Sequence, residues 1–226
     1  MTARLPPGAR PDTGELRRLY LEAQLSGDRR AALRVVLEDG LASGVPVRDL
    51  QSEVVQAAQR EIGSLWQQNR ISIAQEHMAT AISHVVMSRL FEEAEPADRL
   101  GHKVVVACVE GEMHEFPARL VADFLELGGF EVRYLGANVP TDDLLRLIDD
   151  ERPAVLALSV TMSFNAPSLL QTVQRVRHRY PQLPVLVGGH ALEWEPRLAV
   201  QYGVETCGPE ADCVVDHARR MAERAR

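Results

Sequence analysis

Two rhythms of apolar and polar positions divide the chain. Over residues 14–96 the apolar positions recur at helical steps, the mark of helices with one buried face. Leu16, Leu19, Tyr20 and Ala23 share a face across Glu15–Leu25. Ser26-Gly27-Asp28 interrupts it, with Asp28 placed to cap a second helix from Arg29 to Leu41. Ser43-Gly44-Val45-Pro46 ends that helix, a third runs over 47–68, and Asn69-Arg70 turns the chain. A fourth helix spans 72–93, with Ile73, His77, Ala81 and His84 at helical spacing. Four amphipathic helices with short connections predict an antiparallel four-helix bundle.

From Lys103 the rhythm changes. Strands are expected at Val104–Val109, Glu131–Leu135, Ala154–Val160, Val185–Val187 and Val204–Thr206. Helices are expected near 116–128, 141–150, 165–179, 194–202 and 210–224. Continuous apolar runs alternating with helical stretches predict a five-stranded, doubly wound parallel sheet of flavodoxin or Rossmann type. The fold class is therefore α + α/β: a disordered lead-in over 1–13, a helical bundle over 14–96 and a sheet domain over 101–226. Glu95-Pro96-Ala97-Asp98 marks the boundary.

Composition narrows the function classes. Among 226 residues, 46% are hydrophobic and 25% charged, the balance of a soluble globular protein. A net charge of −7 argues against direct DNA binding, which needs clustered Lys and Arg. Cys108, Cys207 and Cys213 cannot all pair and have no CxxC spacing, which suits a reducing cytoplasm and disfavours structural zinc. No apolar run approaches the ~18 residues of a membrane span, and Met1–Thr13 lacks the apolar core of a secretory signal. No nucleophile–base pair and no phosphate loop stands out, so the chain does not read as a complete enzyme.

The chemistry concentrates where strands end, because open α/β sheets bind ligands beyond the carboxyl ends of their strands. After the first strand, Glu112 stands two residues before His114. A carboxylate on one imidazole nitrogen orients the ring and raises the basicity of the other, which suits a metal ligand. A single such His points to a metal that arrives with most of its coordination shell, as in a macrocycle. The third strand ends in Ser159-Val160-Thr161, the fourth in Gly188-Gly189-His190, and the second leads into Gly136-Ala137-Asn138-Val139-Pro140. Hydroxyls can meet a buried polar ligand, and paired glycines let a bulky group approach the backbone. Each feature also has a plain reading: His114 as a loop histidine paired with Glu112, Trp66 as bundle core, Ser159 and Thr161 as strand-end caps. Cys108 reads as a small core residue, Arg175 to Arg179 as a solvated face, and His102, His178 and His217 as surface residues.

These motifs resemble the cobalamin-binding domains of the methionine-synthase type, which carry Asp-x-His-x-x-Gly, Ser-x-Leu and a Gly-Gly pair. The corresponding stretches here are Glu112-Met113-His114-Glu115-Phe116-Pro117, Ser159-Val160-Thr161 and Gly188-Gly189. The resemblance implies that His114 is the lower cobalt ligand with Glu112 as its hydrogen-bond partner. It also implies that Ser159 and Thr161 line the slot for the nucleotide tail and that Gly188 and Gly189 make room for it. His190, by its position after the glycine pair, is expected to touch the ligand edge. Glu for Asp, Pro117 for Gly and Thr161 for Leu are departures from the pattern.

The helical half is similar to light-responsive, cobalamin-dependent regulators of the CarH type, in Ile62-Gly63-Ser64-Leu65-Trp66 and Ile71-Ser72-Ile73-Ala74-Gln75-Glu76-His77. That likeness implies that Trp66, Glu76 and His77 belong to a cap over the upper corrin face, where the Trp and Glu contact an adenosyl group. Such regulators usually carry a DNA-binding domain before the cap, whereas this sequence starts at the cap bundle. Some have a His directly after the Trp, where Gln67 stands here. The leading expectation is a cytoplasmic sensor of light using adenosylcobalamin, signalling through cap movement, homo-oligomer assembly or a separate effector protein. Photocobilins, which add biliverdin as a second chromophore, are a close variant. A corrinoid methyl carrier and a passive cobalamin-binding module are the alternatives.

Overall fold

The computed structural model describes residues 11–194, 200, 203–206 and 211–224. They form two compact units that divide between Ala94 and Glu95. Most of the expected lead-in, much of the expected helix over 194–202, and Cys207 lie outside the described residues.

The first unit is helical. Helix α1 is Thr13–Leu25 and buries Leu16, Leu19, Tyr20, Ala23 and Gln24. Helix α2 starts at Arg29 behind Asp28, whose side chain accepts from Ala31 N as expected. It continues into a π-helical stretch, Arg34–Gly40, and a 3₁₀ turn, Leu41–Ser43. Helix α3 runs through Val47–Asp49, a second π-helical stretch Leu50–Gln56, and Ala57–Gln67. Helix α4, Ile73–Glu92, opens on a reciprocal capping box between Ser72 and Gln75. Two features differ from the sequence reading. The second and third helices are each widened by a π stretch rather than uniformly α. The face of α4 carrying Ile73, His77 and Ala81 is exposed in this unit, and the buried face is Ala79, Ile82, Ser83, Val86, Met87 and Leu90.

The second unit is the sheet: β1 Lys103–Cys108, β2 Glu131–Tyr134, β3 Val155–Ser159, β4 Val185–Gly188 and β5 Glu205–Thr206. The order is β2-β1-β3-β4-β5, parallel throughout. Its helices are α5 Phe116–Leu127, α6 Thr141–Glu151, α7 Ala166–Arg179, α8 Ala191–Trp194 and α9 Ala211–Arg224. Val105, Ala107, Leu156, Leu158, Val185 and Val187 pack on one face against Leu144, Ile148, Leu169 and Val173 of α6 and α7. Helices α5 and α9 pack together and against the strands. Coverage by helices is why β1 and β3 read as unbroken apolar runs. In this order strands are added on one side of β1 and then on the other, and the switch between β1 and β3 creates a crevice at their carboxyl ends.

Arg175 and Arg179 ion-pair with Asp142 and Asp149 of α6 rather than standing only in solvent. His217 is not a free surface residue either, since its Nε2 lies 2.8 Å from Glu205 Oε2. No helix among the described residues is long and apolar enough to cross a membrane.

Asp123 on α5 is a buried acid with a measurable consequence. Its Oδ1 accepts from Arg119 at 2.8 Å while Oδ2 has no partner. Burial pushes the carboxyl up to about 6, with Arg119 opposing. An acid raised above its ordinary 3.8 favours the fold while protonated, so this stability is complete below that value and lost as pH rises through about 6. Asp123→Asn is expected to match the parent at pH ~4 and exceed it at pH ~7 by on the order of 1–3 kcal/mol, read from urea unfolding at both pH values.

Candidate functional site

The crevice between β1 and β3 is built around one carboxylate. After Cys108 the chain turns, with Glu112 N donating to Val109 O at 2.9 Å, and Glu112 is fully buried. An isolated buried carboxylate is expensive, and here it is surrounded by donors. Oε1 accepts from His114 N at 2.9 Å and lies 2.6 Å from His114 Nδ1. Oε2 accepts from Thr161 N, Met162 N and Asn165 Nδ2, each at 2.9 Å. Burial alone would push this carboxyl up. The bonds from the His114 ring, Met162 N–H, Asn165 amide and His114 N–H outweigh it and hold the carboxyl down at about 2.

A permanent carboxylate settles the neighbouring imidazole. It can only accept, so Nδ1 of neutral His114 carries the proton and Nε2 keeps the lone pair a metal takes. The His114 side chain is 37% exposed while that of Glu112 is 0% exposed, so the anchor is buried and the ring is presented. The loop is tied further by Asn138, whose Oδ1 accepts from Gly111 N and whose N–H donates to Glu112 O, both at 2.8 Å.

Strand register brings the other predicted residues of this unit to the same edge. Cys108 pairs with Ser159, and Ser159 with Gly188. Thr161 Oγ1 is buried without a hydrogen-bond partner, and the buried Ser159 Oγ has no partner beyond the Cys108 thiol beside it. Burial pushes the neighbouring Cys108 thiol up to about 12, with Glu112 and Glu115 adding to the rise and Ser159 opposing it. A Cβ built on Gly188 would meet nothing within 4 Å, so open space lies beside it. Gly189 is different: its missing Cβ accommodates the Val160 backbone. His190 follows, exposed.

Trp66, Glu76 and His77 belong to the helical unit. Trp66 is half-buried near the end of α3 rather than full core. Glu76, in the first turn of α4, has a side chain only 14% exposed. Its Oε1 accepts from Thr80 Oγ1 at 2.8 Å, and its Oε2 lies 2.6 Å from His77 Nδ1. His77 itself is 70% exposed.

Sequence reasoning missed Asn165, which precedes α7 where a cap belongs but makes no capping bond and serves Glu112 instead. It also missed Met113 and Phe164, large apolar residues 66% and 70% exposed in the loops beside His114 and Asn165. Exposed apolar side chains at a strand-end crevice are suited to a large flat ligand. Among the described residues no group of three or more His, Cys, Asp or Glu gathers as a metal site. One presented imidazole, two buried strand-end hydroxyls and the space beside Gly188 fit a metal carried in a macrocycle with a polar appendage, and cobalamin is such a group.

Comparison with known proteins agrees. Residues 102–224 match the family described as B12 binding domain, and residues 16–91 match a second family of the same description. The chain is 31% identical over 207 residues to the HTH-type transcriptional repressor CarH of Myxococcus xanthus, covering 90% of this chain and 67% of that protein. It is 25% identical over 195 residues to trimethylamine corrinoid protein 1 of Methanosarcina acetivorans, covering 82% and 88%. The structure of the Methanosarcina barkeri monomethylamine corrinoid protein superposes with a TM-score of 0.81 over 92% of this chain and 99% of that one. At 18% identity that last likeness is one of fold.

Proposed function

This chain belongs to the B12-binding domain family, and from that premise we propose that it is a light sensor that binds adenosylcobalamin through His114 and reports by conformation or assembly. The observation that carries the binding reading is the Glu112–His114 pair, a presented imidazole locked in one tautomer by a buried anion. The likeness to CarH over 90% of this chain supports the sensory reading.

Bound cobalamin would supply a cobalt able to take an imidazole ligand and, in the adenosyl form, a light-labile cobalt–carbon bond. His114 would hold the cobalt through Nε2, with Glu112 holding the ring at Nδ1. Ser159 and Thr161 would offer their hydroxyls to the nucleotide tail, beside Gly188, and His190 would meet the ligand edge. Trp66, Glu76 and His77 would serve the upper ligand. Their contacts would differ with the adenosyl group present or absent, and a switch requires such a difference. Loss of those contacts would repack the helical unit, and a second copy or an effector protein would read the change.

A second reading is a corrinoid methyl carrier that works beside a methyltransferase, supported by the likeness to a trimethylamine corrinoid protein over 88% of that protein's length. Both readings use His114. One experiment separates them: absorption and sedimentation of the protein with adenosylcobalamin, in the dark and after illumination. A protein-bound spectral change with a change in mass or shape supports the sensor. An unresponsive complex that accepts a methyl group from a methyltransferase supports the carrier. Adding biliverdin to the same mixture tests a second chromophore by its red absorption band.

His114→Ala is expected to lose the spectrum of histidine-ligated cobalamin and to weaken binding on the order of 10–100-fold. Unchanged binding and spectrum would reject His114 as the ligand.

A further inference from the structure

The helical unit contains a run of side-chain hydrogen bonds whose donors all point toward Glu76. It begins on α1 at Tyr20, which is fully buried and whose hydroxyl lies 3.0 Å from Ser83 Oγ. Ser83 has one hydroxyl hydrogen, and Gln59 Oε1 accepts it at 2.9 Å. The phenol must therefore be the donor to Ser83, and burial, which raises the Tyr20 pKa, keeps it protonated. Gln59 passes the sequence on through the other end of its amide, with Nε2 donating to Thr80 Oγ1 at 2.5 Å. Thr80 gives its own hydrogen to Glu76 Oε1 at 2.8 Å. Gln24 braces the middle, its Nε2 lying 2.9 Å from Ser83 Oγ and 3.2 Å from Gln59 Oε1.

The direction of this run is dictated from its acidic end. A carboxylate only accepts, so Thr80 must donate to it and can then only accept from Gln59. That fixes which way the Gln59 amide faces, and the amide oxygen in turn takes the Ser83 hydrogen. Aligned donors polarise one another, so each bond strengthens the next. Such a network is an odd choice for stability alone. Gln24 and Ser83 are fully buried, and Gln24 Oε1 is left without a partner, where apolar side chains would incur no such penalty. A chain linking α1, α3 and α4 to one side chain in the first turn of α4 is better explained by what it does to that side chain.

We propose that Thr80 and Gln59 are positioning residues for Glu76, holding its carboxylate in the one orientation that lets the protein tell adenosylcobalamin from cobalamins with a small upper ligand. The inference rests on the reading above that Glu76 serves the upper ligand. Thr80 acts directly on the carboxylate, and Gln59 acts through Thr80.

The test is a pair of dark titrations of the full chain, one with adenosylcobalamin and one with hydroxocobalamin, followed by absorption. Thr80→Val keeps the shape and deletes the donor. It is expected to weaken adenosylcobalamin binding about ten-fold and to change hydroxocobalamin binding less than about two-fold. Thr80→Ser restores the parental ratio, which a purely steric role for Thr80 would not produce. Gln59→Met gives the same pattern with a smaller loss, and decides the matter if Thr80→Val does not fold. A parental ratio in both variants, while Glu76→Ala loses it, overturns the positioning role and leaves the reading of Glu76 standing. A parental ratio in Glu76→Ala overturns both, and the network is then polar core.

Discussion

Glu112→Gln is expected to destabilise the sheet unit by about 2–4 kcal/mol and to weaken cobalamin binding on the order of 100-fold, although it changes one oxygen to one nitrogen. Every group around the carboxylate is a donor: the N–H groups of His114, Thr161 and Met162, the Asn165 amide and the His114 ring. A glutamine must turn its own NH₂ toward one of these sets. Facing Thr161, Met162 and Asn165, it would strand buried donors. Facing His114, it would still oppose the backbone N–H, and the ring could accept at Nδ1 only by moving its proton to Nε2. The nitrogen needed by the metal would then carry hydrogen, so the substitution disables ligation without touching the ligand. Urea unfolding gives the stability, and a cobalamin titration followed by absorption gives the affinity. A parental spectrum and affinity in Glu112→Gln would mean that the pair does not govern the ring. The sign of the acid response follows from the same anchor. A carboxyl held at about 2 against its ordinary 4.5 contributes stability that is complete above the higher value and lost as pH falls through the lower one. Glu112→Gln is expected to lack that acid loss.

The difference between what the sequence announces and what it conceals follows the range of the interactions. Glu112 and His114 stand two residues apart at the end of an unbroken apolar run, so strand pattern and local spacing reveal both their place and their pairing. The other half of the carboxylate's shell comes from Thr161, Met162 and Asn165, some fifty positions away, and is delivered by the register that aligns Cys108 with Ser159. No local count reveals that register. Asn165 is further disguised because an Asn just before a helix reads as a cap, and only its missing capping bond shows that the side chain is engaged elsewhere.

The helical unit hides its features for another reason. On α3 the buried residues Leu50, Val54, Ala58 and Ile62 are spaced by steps of four. In a regular α-helix each such step drifts by about 40°, so the set would wander off one face. The wider winding of Leu50–Gln56 counters the drift, and a strict step of four was the available signal. On α4, apolar residues occupy much of the circumference, from exposed Ile73 and Met78 to buried Ile82 and Val86. Periodicity alone therefore could not choose the buried side. The capping signal at Asp28 was legible because a cap is a contact between near neighbours in sequence.

Neighbouring glycines that look alike in sequence are expected to fail in opposite ways. Gly189 has φ +108°, a conformation that side-chain-bearing residues rarely adopt, and a Cβ there would lie 2.1 Å from Val160 O and 2.6 Å from Val160 C. These atoms are backbone and cannot step aside, because Val160 N donates to Gly188 O at 3.0 Å and Val160 O accepts from Ala191 N at 3.3 Å. Gly189→Ala must break that ladder, at a cost of about 3 kcal/mol or more, with cobalamin binding lost as a consequence of unfolding. Gly188 has no positive φ and nothing within 4 Å of a built Cβ. Gly188→Ala is expected to change stability by less than about 0.5 kcal/mol, while Gly188→Leu, filling the same space, weakens cobalamin binding on the order of ten-fold or more with the fold intact. Urea unfolding and cobalamin titration of the variants separate the roles. If Gly188→Leu binds cobalamin like the parent, the open space beside Ser159 holds no part of the ligand, and the tail must lie elsewhere along the edge.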